Sequence, residues 1–210
     1  MFLSKLIKLY KGIKNDVLCK SKLKKWHSCA TFIGDGQTCK AHANIVLRQS
    51  SKENVILRAH CEVFGTLISF KNGVIDMGEW AKIGPGTVIN CVNKVVIGKD
   101  TAIANNVLII DNNTHPINPA DRRYMRHTPH GSDERQPWHS SNAPIIIGEN
   151  VWIGSNARIC KGVTIGDNAI IAANSVLTKS VPANSVVAGN PAKIVKEGID
   201  ELTTPIFPLN

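Results

Sequence analysis

Residues 147–181, cut into sixes, read IGENVW, IGSNAR, ICKGVT, IGDNAI, IAANSV and LTKSV. An aliphatic residue opens every unit: Ile147, Ile153, Ile159, Ile165, Ile171 and Leu177. Four positions on from each come Val151, Ala157, Val163, Ala169, Ser175 and Val181, and in several units a small residue, Gly148, Gly154, Gly166 or Ala172, follows the aliphatic. A period of six is neither the 3.6 of a helix nor the two of an ordinary strand, and it identifies a parallel β-helix of hexapeptide units. Each unit supplies one short strand and a turn. The aliphatic points into a narrow interior, and Gly, Asn or Asp relieves the backbone where it bends. Stacked coils then pair strand to strand at about 4.8 Å.

Working outward, Met77, Ile83 and Ile89 keep the period, and Ile97, Ile103 and Ile109 resume it after a shift of two residues. Before residue 77 it fades, so residues 45–75 are expected to form irregular first coils. Between Ile109 and Ile147 it stops. The segment 112–144 holds five prolines, four arginines and four histidines, and a break that long in a tight solenoid predicts a protruding surface loop. After Val181 the segment through Lys196 leaves the repeat. The expected organisation is an N-terminal helix over 1–27, an all-β body over 28–196 carrying the loop 112–144, and a short tail over 197–210.

Composition agrees with that reading. The chain of 210 residues is 43% hydrophobic and only 5% aromatic, which excludes a disordered chain and suits a core of small and β-branched residues. Its six cysteines include no Cys-x-x-Cys pair, so neither a disulfide framework nor a zinc ribbon is indicated. The net charge of +9 is concentrated: residues 1–27 carry eight lysines against Asp16, and the other 183 residues carry only +2. A basic nucleic-acid-binding body is thereby excluded. In the basic segment Phe2, Leu3, Leu6, Ile7, Tyr10, Ile13 and Val17 recur at helical spacing, with Lys5, Lys8, Lys11 and Lys14 toward solvent. Such an amphipathic helix caps the solenoid, lies on an anionic membrane surface or meets a partner. The chain has no apolar run of membrane-spanning length, and lysines stand where a signal peptide would be apolar, so a cytoplasmic location is expected.

Four stretches carry a resemblance: Asn113-Thr114-His115-Pro116 opening the loop, Val151-Trp152-Ile153-Gly154 on its return, Gly162-Val163-Thr164-Ile165-Gly166 in the next coil, and Val187-Ala188-Gly189-Asn190-Pro191-Ala192 at the end. Over residues 75–196 the chain resembles the hexapeptide-repeat acyltransferases, in the branch of galactoside, maltose and bacterial polysaccharide O-acetyltransferases. The resemblance implies a left-handed β-helix, a homotrimer with sites between neighbouring prisms, and acetyl-coenzyme A as donor without a metal. The flat faces of a triangular prism enclose no pocket, which agrees with a site between subunits. The implied acceptor is a hydroxyl of a sugar or of a capsule or O-antigen polysaccharide.

His115 is implied as the general base that takes the proton of that hydroxyl as it attacks the thioester. The chemistry asks for such a group, because a sugar hydroxyl is a poor nucleophile near neutral pH and imidazole titrates in the right range. The thiolate leaves readily, so direct transfer needs no covalent enzyme intermediate. By the same resemblance Trp152 flanks the substrate or pantetheine channel, Ser155, Ala173, Thr178 and Lys179 line the coenzyme, and Gly189, Pro191 and Lys193 border its nucleotide end. Oxyanion donors are expected among the backbone N–H groups around Ser155. Two departures concern the acceptor: the coil at 89–97 differs in length, and the loop after His115 is longer than in the galactoside enzymes. Asn90, Asp121, Arg122 and Trp138 are the candidate acceptor contacts, with Trp138 as a platform for a sugar ring. Other readings on the same fold are transfer to serine or a small antibiotic, a zinc lyase resembling gamma-class carbonic anhydrases through His115, His127, His130 and His139, and a non-catalytic binding solenoid.

Overall fold

The computed structural model describes residues 17–201, and these wind into a left-handed triangular β-helix with three parallel sheets as faces. The first face stacks β1 (Thr31–Ile33), β4 (Val55–Arg58), β7 (Val74–Met77), β10 (Lys94–Ile97), β13 (Ile145–Ile147) and β16 (Thr164–Ile165). The second stacks β2 (Thr38–Cys39), β5 (Glu62–Val63), β8 (Lys82–Ile83), β11 (Ala102–Ile103), β14 (Trp152–Ile153), β17 (Ile170–Ile171) and β19 (Val186–Gly189), and ends in β20 (Ala192–Lys196). The third stacks β3 (Asn44–Arg48), β6 (Thr66–Phe70), β9 (Val88–Cys91), β12 (Leu108–Ile110), β15 (Arg158–Cys160) and β18 (Val176–Leu177).

The residues that open the hexads form the interior. Ile83, Ile103, Ile153 and Ile171 stand in register up the second face, and Ile89, Ile109, Ile159 and Leu177 up the third, all essentially without solvent contact. Burying each such side chain is worth roughly 1.5–3 kcal/mol, so the column is the main source of cohesion. At the corner between the first and second faces Asn150, Asn168 and Asn184 all take positive φ. Their amides form a ladder, Asn150 donating to Asn168 at 2.9 Å and Asn168 to Asn184 at 2.7 Å. Asparagine serves there because its short polar side chain tolerates the left-handed bend and bonds the next coil.

The coils before residue 77 are more regular than the sequence suggests. Leu57 pairs with Met77, Val63 with Ile83 and Leu67 with Ile89, all in parallel register. The corner lengths differ instead: Val63 to Leu67 is a step of four, which hides the period while preserving the stack. The far end also departs from expectation, since β19 keeps the stack by pairing in parallel with β17 before β20 turns back antiparallel.

Helix α1 (17–26) closes the first coil. Trp26 is buried, Cys19 and Leu23 pack against the core, and the Lys22 ammonium donates to the carbonyls of Ala41 and Ala43. Residues 17–26 thus pack onto the first coil through Cys19, Leu23 and Trp26, while Val17 is exposed. Phe2, Leu3, Leu6, Ile7, Tyr10 and Ile13 lie outside the described residues. No helix among the described residues is long and apolar enough to cross a membrane.

Candidate active site

The loop leaves β12 at the corner between the third and first faces, and its base is fixed by the residues that open it. Asn112 forms an antiparallel bridge with Asn142, and the Asn113 N–H donates to Ser141 O at 3.0 Å. Beneath them the fully buried Asp111 carboxylate accepts from the backbone N–H groups of Val92 (2.9 Å) and Asn93 (2.7 Å) and from the Asn112 amide (3.0 Å). Asn112 donates onward to Asn90 Oδ1 at 3.1 Å, so Asn90 is tied to the turn that presents His115. Thr114 takes φ +60°, a strained choice for a β-branched residue, and aims His115 out of the corner.

The loop is itself structured. Helix α2 (Pro119–His127) begins at Asn118, whose side chain accepts from Ala120 N at 2.8 Å, with Pro119 in the first turn. The Asn118-Pro119 pair is a helix-start signal that the sequence reading passed over. Met125 is buried, and Arg122 and Arg126, one turn apart, share its side of the helix. The Arg122 guanidinium donates to the carbonyls of Pro116 and Ile117, and Arg135 to the carbonyl of Arg126 at 2.7 Å.

His115 stands where two depressions meet. One, of about 470 Å³, is lined by His115, His130, Met125 and four arginines: Arg48, Arg122, Arg126 and Arg135. The other, of about 390 Å³, runs along the third face over Val46, Ile68, Phe70 and Asn90. His115, Arg48 and Arg135 belong to both. Of the expected acceptor contacts, Asn90 and Arg122 are thus brought to His115, whereas Asp121 is exposed on α2 and lines neither depression. Trp138 also lines neither depression. It packs toward Phe70 with ring centroids 6.3 Å apart and has the Lys71 ammonium 5.6 Å from its ring, so it anchors the loop to the prism.

The expected coenzyme contacts fall into two places. Trp152, Ser155 and Ala173 line a groove of about 430 Å³ on the second face, floored by Ala104, Gly154 and Ala172. Gly189, Pro191 and Lys193 follow on the same sheet, in and around the turn between β19 and β20. Thr178 and Lys179 instead follow β18, on the corner from which His115 emerges two coils earlier. Within one chain, His115 and the groove beside Trp152 therefore lie on different parts of the prism. Around Ser155, the N–H groups of Gly154 and Asn156 already donate to Ile171 O (2.8 Å) and Asn105 O (3.0 Å), which leaves that of Ser155 as the candidate oxyanion donor.

Cysteine and metal alternatives find less support. Burial pushes the Cys39 thiol up to about 11 and Cys61 to about 12, and burial with the nearby Asp111 carboxylate pushes Cys91 up as well, which disfavours nucleophilic thiolates at these positions. Among the described residues no three His, Cys, Asp or Glu side chains converge, and His139 is paired with Asp133 at 2.6 Å.

Residues 144–179 match the bacterial transferase hexapeptide model, described as six repeats. Those residues carry hexapeptide repeats of that kind. The chain is similar to WbbJ of Escherichia coli (strain K12), named for O-acetyl transfer in lipopolysaccharide biosynthesis, with 34% identity over 62% of this chain and 64% of that one. It is also similar to a protein of Lysinibacillus sphaericus named as a macrolide acetyltransferase, with 41% identity over 50% of this chain and 61% of that one. Among solved structures, the hexapeptide-repeat acetyltransferase VCA0836 of Vibrio cholerae superposes with a TM-score of 0.54 and 27% identity, over 80% of this chain and 74% of that one. The match spans a little under two thirds of the length of the two sequence relatives.

Proposed function

We propose that the hexapeptide-repeat chain transfers an acetyl group from acetyl-coenzyme A to a carbohydrate hydroxyl, of the kind found in bacterial surface polysaccharides, with His115 as general base. The observation that carries this reading is the placement of His115: a rigidly based turn projects an imidazole over a groove that also holds Asn90. The relative named for lipopolysaccharide O-acetyl transfer supports the same chemistry.

Acetyl-coenzyme A supplies a thioester whose thiolate leaves readily, so the chain need only orient the carbonyl, hold the acceptor and take one proton. His115 takes that proton at Nε2 as the acceptor oxygen attacks. The groove of Ala104, Gly154, Ala172 and Ala173 beside Trp152 is narrow and apolar, which suits a pantetheine arm, and the Ser155 N–H is placed to meet an oxyanion. Lys179, on the corner after β18, and Lys193, on β20, are both exposed, where each can pair with a phosphate.

Because His115 and the Trp152 groove lie on different parts of one prism, the working site takes His115 from one copy and the groove from the next, and three copies close the ring. The lysine-rich N-terminal segment would hold this assembly at the inner face of the cytoplasmic membrane.

A mixing experiment tests the shared site. His115→Ala chains and Ser155→Trp chains, each inactive alone, should recover about a quarter of the wild-type rate when co-assembled at equal amounts, because a site needs one intact contribution from each neighbour. Light scattering on the single variants checks that each still assembles. Absence of recovery in properly assembled mixtures would contradict a site built from two chains.

A second reading, transfer to a macrolide, is favoured by the Lysinibacillus relative. An acceptor panel containing a macrolide separates the two.

A further inference from the structure

The cavity beside His115 has a charge pattern that the sequence of the loop conceals. Over the loop, Arg122, Arg123, Arg126 and Arg135 outnumber Asp121, Asp133 and Glu134 by only one. Folding separates them. Arg122, Arg126 and Arg135 turn to the cavity, where Arg48 joins them from β3, while none of the three acids lines it and Asp133 is held by His139 at 2.6 Å. Four of the chain's seven arginines line this cavity and, among the described residues, no lysine does. A general positive surface would draw on both, whereas planar guanidinium forks are what oxyanion recognition requires.

The cations also lack internal compensation. Among the described residues no carboxylate lies within ion-pair distance of Arg48, Arg122, Arg126 or Arg135, the ion pairs being Arg58–Asp76, Lys82–Glu62, Lys99–Glu149 and His139–Asp133. Arg122 and Arg135 are fixed by backbone carbonyls, which orients them without neutralising them. Neither Arg48 nor Arg126 donates a side-chain hydrogen bond among the described residues, and Arg48 rests near the Phe70 ring at 5.9 Å.

We infer that the acceptor is anionic: a sugar bearing a phosphoryl or carboxylate group, which the four arginines hold while its hydroxyl reaches His115. This rests on the acetyl-transfer reading for the position of the hydroxyl. The coenzyme's own phosphates do not fit the role, since a thioester carbonyl brought to His115 places them a whole pantetheine arm away. The two depressions that share His115 suit such an acceptor. Its charged group sits among the arginines and its ring lies along Val46, Ile68 and Phe70 beside Asn90.

The test uses the full chain with acetyl-coenzyme A and three matched acceptors: an uncharged hexose, its 1-phosphate and the corresponding uronic acid. The expected result is a kcat/KM at least tenfold higher for a charged acceptor, and the better of the two identifies phosphoryl or carboxylate as the natural group. Arg126→Gln and Arg48→Gln should each reduce that preference at least fivefold, through KM for the acceptor and not KM for acetyl-coenzyme A. Calorimetry with inorganic pyrophosphate supplies a readout independent of turnover: it should bind the wild type and bind Arg126→Gln at least tenfold more weakly, and in kinetics it should compete with the acceptor. Equal efficiency on charged and uncharged hexose, or pyrophosphate competing only with acetyl-coenzyme A, overturns the anionic acceptor while leaving acetyl transfer intact. Pyrophosphate bound at the arginines with no transfer to any hydroxyl supports the anion site and sinks the acetyl-transfer reading instead.

Discussion

The hydroxyl of Thr114 lies 3.0 Å from Nδ1 of His115 and 2.6 Å from the carbonyl oxygen of Asn113. A threonine has one proton to give, and the shorter contact to a carbonyl, which can only accept, claims it. Oγ1 then accepts from Nδ1–H, a tautomer that leaves the lone pair on Nε2, facing away from the turn and free to take a proton. The strained φ of Thr114 is accounted for by this geometry, because relaxing it would swing both groups out of line.

Thr114 is accordingly a positioning residue. Thr114→Val keeps the branched shape and loses the hydroxyl, and is expected to lower kcat about tenfold with both KM values within twofold. Thr114→Ser should restore most of the rate. A raised acceptor KM with unchanged kcat would show that Thr114 serves binding and not the imidazole.

The stack of coils predicts an asymmetry between two glycines. A Cβ on Gly98 would fall 2.3 Å from Gly148 O and 2.7 Å from Glu149 N, both backbone atoms of the next coil, so Gly98→Ala must push two coils apart. Gly131, in the loop, has nothing within 4 Å and only its φ of +85° to oppose a side chain. In urea unfolding Gly98→Ala should cost more than 2 kcal/mol, whereas Gly131→Ala should cost about 1 kcal/mol. Equal losses would mean that coil contact is not what demands glycine at 98.

Removing residues 1–16 takes away Lys5, Lys8, Lys11 and Lys14 and leaves the capping contacts of Cys19, Leu23 and Trp26 in place. Polybasic segments gain about 1 kcal/mol per lysine at an anionic surface. The truncated chain should therefore keep its unfolding midpoint and lose most of its sedimentation with vesicles containing phosphatidylserine. Undiminished vesicle binding would remove the lysine segment from that role.

The interior was legible wherever corners kept one length. From Met77 to Ile89 and from Ile147 to Leu177 every expected inward aliphatic is inward. The first coils were hard to read because the step from Val63 to Leu67 is four residues and because Cys39 occupies an aliphatic position. In the site, His115 could be picked out through the Asn113-Thr114-His115-Pro116 stretch that carries the resemblance, whereas Asn90 stood in a coil whose length departs from the family's. The arginine convergence could not: it depends on α2 laying Arg122 and Arg126 against Arg48, some seventy residues earlier in the chain and three coils below. The seat of Trp138 was hidden for a related reason. A loop aromatic invites a ligand role, but this loop needs an anchor, and Phe70 with Lys71 provides the seat.

The account stands on His115 as the base that takes the acceptor's proton, and turnover of His115→Ala tests it most directly. Acetyl transfer should be followed as acceptor-dependent release of free coenzyme thiol, with light scattering and circular dichroism on the same preparation to confirm assembly and fold. His115 is exposed at the start of a loop, so its removal should leave both unchanged. The predicted result is a fall in kcat of about 10²–10⁴-fold. A folded, assembled variant that keeps more than half of the wild-type turnover would contradict the central claim.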